Sequence, residues 1–383
     1  MLFHDHQAAL IPDAKDPIIS LPEQSIDPRL PFVLRCTHSS HYEISRKAIG
    51  RAPKTPPPNT QKTSGTLKQL VKQFVRTTIG TSLMGLRIMH AYHSARALYM
   101  SRFSDEEFAQ RSHRKSCGTS LDLRHPTTFD ERTWWLKLHY RDPLMITCTD
   151  KIAVRDYVSN RGLSDLLLPL IATYSSPKEI EWSILPNQFY LKTNNSSATN
   201  IRCDDLSTFD TKRATQRLRL FLKRDHYALS REWNYKEIVP KILIEPVIDN
   251  GNERLVDYRF FCSYGKCQGI FVDIDTADST GRHRADARRN VYDPDWNLLD
   301  VQVTRPRILD NEIPRPKRLS DMIHYAEELS HAFPSCRVDF YYLNDEQIIF
   351  GELTFFHGGG NNKISPHSYE EILGGWIAVP DQG

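Results

Sequence analysis

The chain has 383 residues, a length that suggests about two or three lobes. Of these residues 39% are hydrophobic and 25% are charged, a composition typical of globular proteins. Lys and Arg total 50 and Asp and Glu total 47, so the net charge is only +3. This near balance argues against nucleic-acid binding, which needs a concentrated basic surface. The seven cysteines follow no regular spacing, which favours free thiols in a reducing compartment over disulfides or a metal knuckle.

Residues 1–66 are predicted to form a flexible leader. They are rich in Pro, Ser and Thr, and the stretch "RAPKTPPPNTQKTSG" at 51–65 disfavours helix and sheet, because proline fixes φ and removes hydrogen-bond donors. Residues 1–30 lack the apolar segment of a secretory signal. The sequence also lacks a run of about 18 uncharged apolar residues, so we expect no transmembrane helix and a cytoplasmic location.

A basic helical extension is predicted to follow at 67–115. Its stretch 67–103 is helix-like, basic and amphipathic. Two roles remain open for it. The commoner one is docking on the main body of the protein, and the other is peripheral contact with an anionic inner-membrane surface.

Residues 116–186 are predicted to be a mainly helical region. The stretch 127–143 predicts a helix that begins at a capping Thr127 or Thr128 and ends by Pro143. A second helix is predicted over 149–162, because Thr149 and Asp150 suit an N-cap and Gly162 suits a C-terminal stop.

From about residue 187 the patterns favour strands. Apolar or alternating runs predict them at 188–194, 241–248, 257–265, 268–275, 337–343 and 347–355. Helices are predicted at about 209–224 and 319–332. This order indicates an α+β protein with antiparallel sheets rather than a doubly wound fold. Neither a GxxxxGK[ST] nor a GxGxxG phosphate-binding motif occurs.

Lys192 lies on an otherwise apolar predicted strand, "FYLKTN", and the loop that follows consists of small hydroxyl and amide residues. Such a loop can surround phosphates while the lysine supplies a point charge. The alternative is a lysine that extends from a strand end into water. Downstream, a strand ending near Glu245 and one carrying Asp257 and Arg259 are joined by a polar bend, which suits either an adenine slot or an ordinary hairpin.

The stretch "RVDFYYLNDEQIIFGELTF" predicts a β-hairpin that carries two carboxylates. A two-residue turn would pair residue 343 with 346, and so place Arg337 opposite Glu352 and leave Asp339 diagonal to Glu352. Buried like charges need compensation. Either a Mg²⁺ ion or an ion pair with Arg337 would supply it, and the spacing alone leaves both open.

Three glycines, Gly358, Gly359 and Gly360, follow the hairpin. A backbone without side chains can approach a ligand closely and aim its N–H groups at it. A tight turn alone seldom needs three glycines, so the loop favours a binding site next to the carboxylates.

Together these segments resemble the TupA-like ATP-grasp proteins of bacterial cell-surface polysaccharide clusters. The resemblance covers roughly two-thirds of the chain, from about 121 to 380. The matching stretches are "FDERTWWLKLHYRDPL", "TDKIAVRDYV", "LPNQFYLKTN", "REWNYKEIVPKILIEPVI", "DYRFFCSYGK", "VYDPDWNLL", "FPSCRVDFYYLNDEQIIFGELTFFHGGG" and "ISP".

The resemblance implies an ATP-grasp fold, in which two α+β subdomains with antiparallel sheets clamp ATP and Mg²⁺. Residues 187–248 would form the nucleotide-clamping subdomain and 249–383 the C-terminal subdomain with the metal site. The residues implied to contact ATP are Lys151, Lys192, Ser196, Ser197, Glu245, Asp257, Arg259, Gly358, Gly359 and Gly360. The implied metal ligands are Asp339, Glu352 and Thr354, and the implied catalytic residues are Arg337 and Lys192.

The implied activity is that of a carboxylate–amine ligase acting through an acyl phosphate on a uronic or amino acid. Three departures from the family pattern stand out. Asn195-Ser196-Ser197-Ala198 replaces the usual His-Gly-Ser-Gly, Arg259 replaces a common lysine, and His357 replaces a common proline. The glycine-poor loop leaves open a non-catalytic ATP-binding module. A glycosyltransferase is the other alternative, for which "DID" at 273–275 is an Asp-x-Asp match.

Overall fold

The structure, a computed structural model, describes residues 83–248, 250, 254–277, 284, 286–308 and 313–380. The predicted leader and the first part of the helical extension lie outside these residues. The described helices are α1 Leu83–Met100, α2 Asp105–Cys117, α3 Phe129–His139, α4 Pro143–Thr149, α5 Val154–Asn160, α6 Thr211–Leu222, α7 His226–Ser230, α8 Leu319–Ser330 and α9 Tyr369–Gly374. Short 3₁₀ turns cover Ser164–Leu166, Trp182–Ile184, Trp233–Tyr235 and His357–Gly360.

Eleven strands are described. They are β1 Ala172–Tyr174, β2 Phe189–Thr193, β3 Ile201–Cys203, β4 Ile242–Glu245, β5 Val256–Ser263, β6 Lys266–Ile274, β7 Arg288–Tyr292, β8 Gln302–Val303, β9 Cys336–Leu343, β10 Gln347–Thr354 and β11 Ile364–Ser365. Each of the six strands expected from the sequence is present, with its ends moved by up to three residues. β1 lies inside the range that was expected to be helical.

Local capping explains where the helices begin. In α3, Thr128 and Glu131 form the reciprocal capping box that the sequence predicts. The second predicted helix starts later than expected, at α5, because Thr149 is the last residue of α4. Asp150 then turns the chain by accepting hydrogen bonds from the N–H groups of Ile152 and Ala153 through Oδ1. Asp150 therefore closes a turn that precedes the helix.

The first sheet has the strand order β1-β4-β2-β3, and every pairing in it is antiparallel. Its apolar face packs with α6 into a separate small core, which includes Phe189, Leu191, Ala214, Leu218 and Ile242. Alternate residues of β2 point the other way, so Lys192 lies on the opposite face from Leu191.

The second sheet has the order β10-β9-β5-β6-β7 and is also antiparallel throughout. One face packs against α8 in the main core, where Phe260, Phe340, Met322 and Leu329 are almost inaccessible to solvent. The other face carries most of the charged residues that the sequence singles out. The α+β class with antiparallel sheets is therefore confirmed.

The predicted register of the β9–β10 hairpin is wrong. Leu343 pairs with Gln347 rather than with residue 346, because the turn contains three residues. The register then shifts between Phe350 and Glu352, where Gly351 forms a bulge. As a result Glu352 lies directly opposite Asp339, instead of diagonal to it.

Helix α1 packs against α6 and α7, so the described part of the extension docks on the main body of the protein. Its outer side leaves Met84, Ile88, Tyr92, Leu98 and Tyr99 exposed. Among the described residues, none of the helices combines the length and the hydropathy needed to traverse a bilayer.

Candidate functional site

One arginine joins the two carboxylates of the hairpin. Arg337 donates from Nε and Nη2 to the two carboxylate oxygens of Asp339, both at 2.6 Å, and from Nη2 to Oε1 of Glu352 at 2.9 Å. Thr354 donates from its hydroxyl to the same Oε1 at 3.0 Å. All four side chains share one face of the second sheet, because Asp339 pairs with Glu352 and Arg337 with Thr354.

The two carboxyl groups differ in their ionisation. Burial raises the pKa of Asp339 to about 6, although Arg337 and Arg259 oppose the shift. The side chain of Glu352 keeps 46% of its surface accessible. Burial raises its pKa too, but Arg337, Lys151 and Arg259 outweigh that effect, so the pKa is lowered overall. Glu352 is therefore an anion at neutral pH.

The oxygen atoms of this pair suit a divalent cation. Among the described residues, no hydrogen bond reaches Oε2 of Glu352, which is free to act as a ligand. Asp339 is held by Arg337 through both oxygens, so it would share its remaining lone pairs with a cation. Mg²⁺ takes oxygen ligands and completes its shell with water and substrate phosphates. The residues therefore fit Mg²⁺ held mainly by Glu352.

The two lysines that are implied to bind phosphate both contact other groups of the protein. Lys192 on β2 donates to Oε2 of Glu245 on β4 at 2.7 Å, and Arg155 lies 3.8 Å from the other oxygen of Glu245. Lys151 donates to the backbone oxygen of Ser196 at 2.9 Å. Burial lowers the pKa of Lys151, and the charge of Glu352 opposes that shift.

The loop after β2 contacts a series of polar side chains from α7 and the turn that follows it. The hydroxyl of Ser196 lies 3.3 Å from Nδ1 of His226, and Nε2 of His226 lies 3.6 Å from Glu232. Burial raises the pKa of Glu232, but His226 and Lys137 lower it by more, so this partly buried carboxylate is ionised. The sequence analysis assigned no role to His226 or Glu232, although Glu232 lies in the family-like stretch "REWNYKEIVPKILIEPVI".

The three glycines adopt a left-handed backbone, with φ of 60°, 65° and 73° for Gly358, Gly359 and Gly360. A Cβ atom on Gly360 would lie 2.7 Å from the Trp134 ring, and one on Gly358 would collide with Asn362. The loop is thus pressed against helix α3. These contacts explain the glycines by packing and conformation, and the expected approach to substrate stays a prediction.

Lys137 on α3 fastens this loop and was also missed. Its side chain is only 1% exposed, and its ammonium donates to the backbone oxygens of Gly359 at 2.6 Å and Ser230 at 3.3 Å. The ammonium also lies 3.6 Å from the centre of the Trp134 ring. Burial lowers the pKa of Lys137 to about 8. A lysine within the apolar stretch "TWWLKLH" was the available signal.

A cluster of arginines surrounds Asp273, the first acid of the "DID" stretch. Arg289 binds its two oxygens at 2.5 and 2.7 Å, and Arg305 and Arg259 lie 2.7 and 3.1 Å away. Burial raises the pKa of Asp273, but the arginines lower it to about 2. This carboxylate is fully occupied by cations, which argues against a sugar-nucleotide metal motif.

His357 lies between two of these guanidinium groups. Its Nδ1 accepts from Nη1 of Arg337 at 2.6 Å, and its Nε2 lies 3.3 Å from Nη1 of Arg289. Burial and the neighbouring arginines hold its pKa well below the usual value. A neutral imidazole therefore couples the Asp273 cluster to Arg337. Asp257 lies at the edge of the Asp273 cluster, 3.8 Å from Arg259.

The chain resembles several solved structures at low sequence identity. The L-amino acid ligase from Bacillus licheniformis has a TM-score of 0.36 and 15% identity, over 60% of this chain and 45% of that protein. D-alanyl-alanine synthetase A from Vibrio cholerae O1 biovar eltor has a TM-score of 0.32 and 12% identity, over 55% of each chain. The chain thus spans about half the length of these two proteins. No curated protein matches the sequence.

The family comparison extends further along the chain. The profile described as TupA-like ATPgrasp matches residues 131–378, which is more than half of the sequence. That range contains every described strand and every residue of the candidate site described above. The match confirms the resemblance and the ATP-grasp fold that it implied. The chain belongs to the TupA-like ATP-grasp family.

Proposed function

We propose that the protein is an ATP- and Mg²⁺-dependent ligase that joins a carboxylate to an amine. The observation that carries the proposal is the ionised Glu352, which lies opposite Asp339 with Oε2 free of hydrogen bonds from the described residues. Membership of an ATP-grasp family supports the use of ATP. Bound Mg²⁺ would neutralise phosphate charge and help to align the phosphoryl group.

The residues of the chain divide the work of the proposed reaction. Lys151 and Lys192 bind phosphate oxygens, and the hydroxyl of the exposed Ser197 adds a hydrogen bond. The hydroxyl of Ser196 would have to turn away from His226 to add another. Arg337 stabilises the negative charge that develops as the acceptor carboxylate oxygen bonds to the γ-phosphorus and the bond to ADP breaks. The amine then attacks the acyl carbon, loses a proton and expels phosphate.

The proposed acceptor is a uronic acid or an amino acid, and the product is an amide in a cell-surface polysaccharide such as a capsule or lipopolysaccharide. The resemblance to the TupA-like ATP-grasp proteins of bacterial cell-surface polysaccharide clusters supports this substrate class. Peripheral contact with the inner membrane, on the cytoplasmic side, belongs to the same proposal. It is supported by the exposed apolar side chains Met84, Ile88 and Tyr92 on the outer side of α1.

A non-catalytic ATP-binding module is the second candidate. It is favoured by the loop after β2, in which Asn194, Asn195 and Ser196 are buried and Ser196 faces His226. Without glycines, the backbone of this loop approaches phosphate less closely. ATP binding without ADP release in any acceptor screen would support this module.

The test is ADP release from ATP and Mg²⁺ with a panel of uronic acids and amino acids, each with and without an amine. We expect one acceptor class to stimulate wild-type turnover. Glu352→Gln should lower turnover about 100-fold or more, whereas Glu346→Gln, in the exposed turn of the same hairpin, should retain it. Equal turnover in wild type and Glu352→Gln would refute the metal assignment. Stabilisation by nucleotide sugars but not by ATP would instead favour a glycosyltransferase.

A further inference from the structure

Three metal-ligating side chains of different chemistry converge away from the proposed ATP site. His113 and Cys117 lie one turn apart on α2, and Asp130 lies in the first turn of α3. One ligand atom from each lies within 4.8 Å of the other two. We refer to His113, Cys117 and Asp130 as the His–Cys–Asp cluster. His113 and Asp130 are buried, and Cys117 is half-buried.

The atoms that meet in this cluster are mostly electron-pair donors. Nδ1 of His113 lies 3.6 Å from Oδ2 of Asp130 and 3.3 Å from the backbone oxygen of Gly360. Sγ of Cys117 lies 3.9 Å from the same Oδ2 and 3.5 Å from the backbone oxygen of Asn362. Two of these five atoms also accept from other donors, since Oδ2 of Asp130 accepts from the backbone N–H of Asn362 and the oxygen of Gly360 accepts from Nε1 of Trp134. The cluster itself contributes only a thiol proton and a ring proton. A bound cation would satisfy the same lone pairs.

The outer contacts of the cluster already hold these side chains in place. Nε2 of His113 lies 3.1 Å from the hydroxyl of Thr119, which can fix the ring orientation. Asp130 accepts from Nδ2 of Asn362 at 2.8 Å and from its backbone N–H at 2.6 Å. Metal-ligating histidines and carboxylates ordinarily have such outer partners, which orient the ligand atoms.

We propose that the His–Cys–Asp cluster is a binding site for a borderline divalent cation of the Zn²⁺ class. One nitrogen, one sulfur and one oxygen ligand suit Zn²⁺, with water in the fourth position, and do not suit Mg²⁺, which takes oxygen ligands. The site would link α2 to Asp130, which binds Asn362 in the segment after the three glycines, and a cation on Nδ1 of His113 would replace the contact of that atom with Gly360. It is separate from the carboxylate pair on β9 and β10.

Co²⁺ titration of the metal-free full-length protein tests this site, because Co²⁺ bound to a thiolate gives a charge-transfer absorption band. We expect one Co²⁺ per chain, displaced by Zn²⁺, and loss of the band in Cys117→Ser. Cys36→Ser is the matched control. Cys36 precedes His38 and His41 in the sequence, outside the described residues, and its substitution should leave the band intact.

Two further measurements keep the proposal testable if Cys117→Ser fails to fold. Thr119→Val keeps all three ligands but removes the outer partner of His113, so it should weaken Zn²⁺ binding about 10–100-fold. Zn²⁺ should also raise the melting temperature of wild type but not that of folded Cys117→Ser. Absence of a thiolate band in wild type, or its persistence in Cys117→Ser, overturns the proposal. None of these measurements involves ATP, so they test the cation site independently of the proposed ligase activity.

Discussion

Glu352 lies directly opposite Asp339 because Gly351 forms a bulge in β10. After the three-residue turn, a regular ladder would place Gly351 opposite Asp339. The bulge adds one residue to β10 and moves Glu352 into that place. A Cβ atom on residue 351 would lie 3.1 Å from the backbone oxygen of Asp339, so glycine suits the close approach of the two strands.

The three-glycine loop gives a matched pair of substitutions. Gly359→Ala should cost only the strain of a left-handed backbone, about 1–2 kcal/mol, because the nearest atom to its Cβ lies 3.6 Å away. Gly360→Ala should cost about 3 kcal/mol or more, since its Cβ also lies 2.7 Å from Trp134. Urea unfolding of both variants measures the difference. Equal free energies of unfolding would show that the contact with Trp134 relaxes without cost.

The buried Lys137 should make stability depend on alkaline pH. Its pKa is about 8 in the folded state and 10.5 as the ordinary value. Between these values the unfolded chain binds more protons, so the free energy of unfolding rises with pH and is lowest below about 8. The gain between pH 7 and 10 should be roughly 2–3 kcal/mol.

Lys137→Met should remove this rise in the free energy of unfolding between pH 7 and pH 10. Lys178→Met, at an exposed position, should keep it. Urea unfolding at pH 7 and pH 10 compares the three proteins. If wild type and Lys137→Met change in parallel with pH, the ammonium is not buried as described.

Sequence reasoning located the strands well and offered the ion pair of Arg337 with Glu352 as one alternative, but it missed the register and the arginines around Asp273. β2, β5, β9 and β10 show apolar or alternating patterns, which depend on local burial. The bulge at Gly351 was not predictable in this way, because it depends on how two strands pair. The extra residue in the turn likewise changed the pairing of Leu343.

Lys137, His226 and Glu232 were missed for a related reason. Each belongs to a short helix or turn, and its role comes from neighbours distant in the sequence, such as Gly359 and Ser196. In contrast, Lys192, Asp339 and Glu352 were identified because a charge within an apolar strand is itself unusual. Local patterns thus identified charged residues on strands, but not those buried between helices and loops.

The "DID" stretch offers a second matched pair. Asp273→Asn should destabilise the protein by about 3–5 kcal/mol, because it leaves Arg289, Arg305 and Arg259 without their common anion. Asp275→Asn should cost less than about 1 kcal/mol, since Asp275 is partly exposed. Denaturant unfolding at pH 7 measures both.

The Asp273 carboxylate also fixes a direction for the pH dependence. The pKa of Asp273 is lowered from 3.8 to about 2. Its ionisation therefore contributes fully to the free energy of unfolding above about pH 4, and this contribution is lost as the pH falls through about 2. Unfolding of wild type and Asp273→Asn should therefore converge in acid. A constant difference between them across this range would contradict the assigned ion pairs.

Lys192 should contribute to nucleotide affinity. Lys192→Met removes a charged donor, so the Kd for ATP should rise about 10–100-fold. Lys241→Met, an exposed position just before β4, should change it little. Calorimetric titration with ATP and Mg²⁺ measures both variants. Unchanged affinity in Lys192→Met would mean that this lysine serves only its ion pair with Glu245.

The most direct test is the Mg²⁺ dependence of ATP binding, measured by calorimetry with Mg²⁺ and with a chelator. For wild type and Glu346→Gln we expect ATP to bind at least about tenfold more tightly with Mg²⁺. For Glu352→Gln we expect that difference to disappear. An undiminished Mg²⁺ dependence in Glu352→Gln, or none in wild type, would contradict a cation site on the paired carboxylates of β9 and β10.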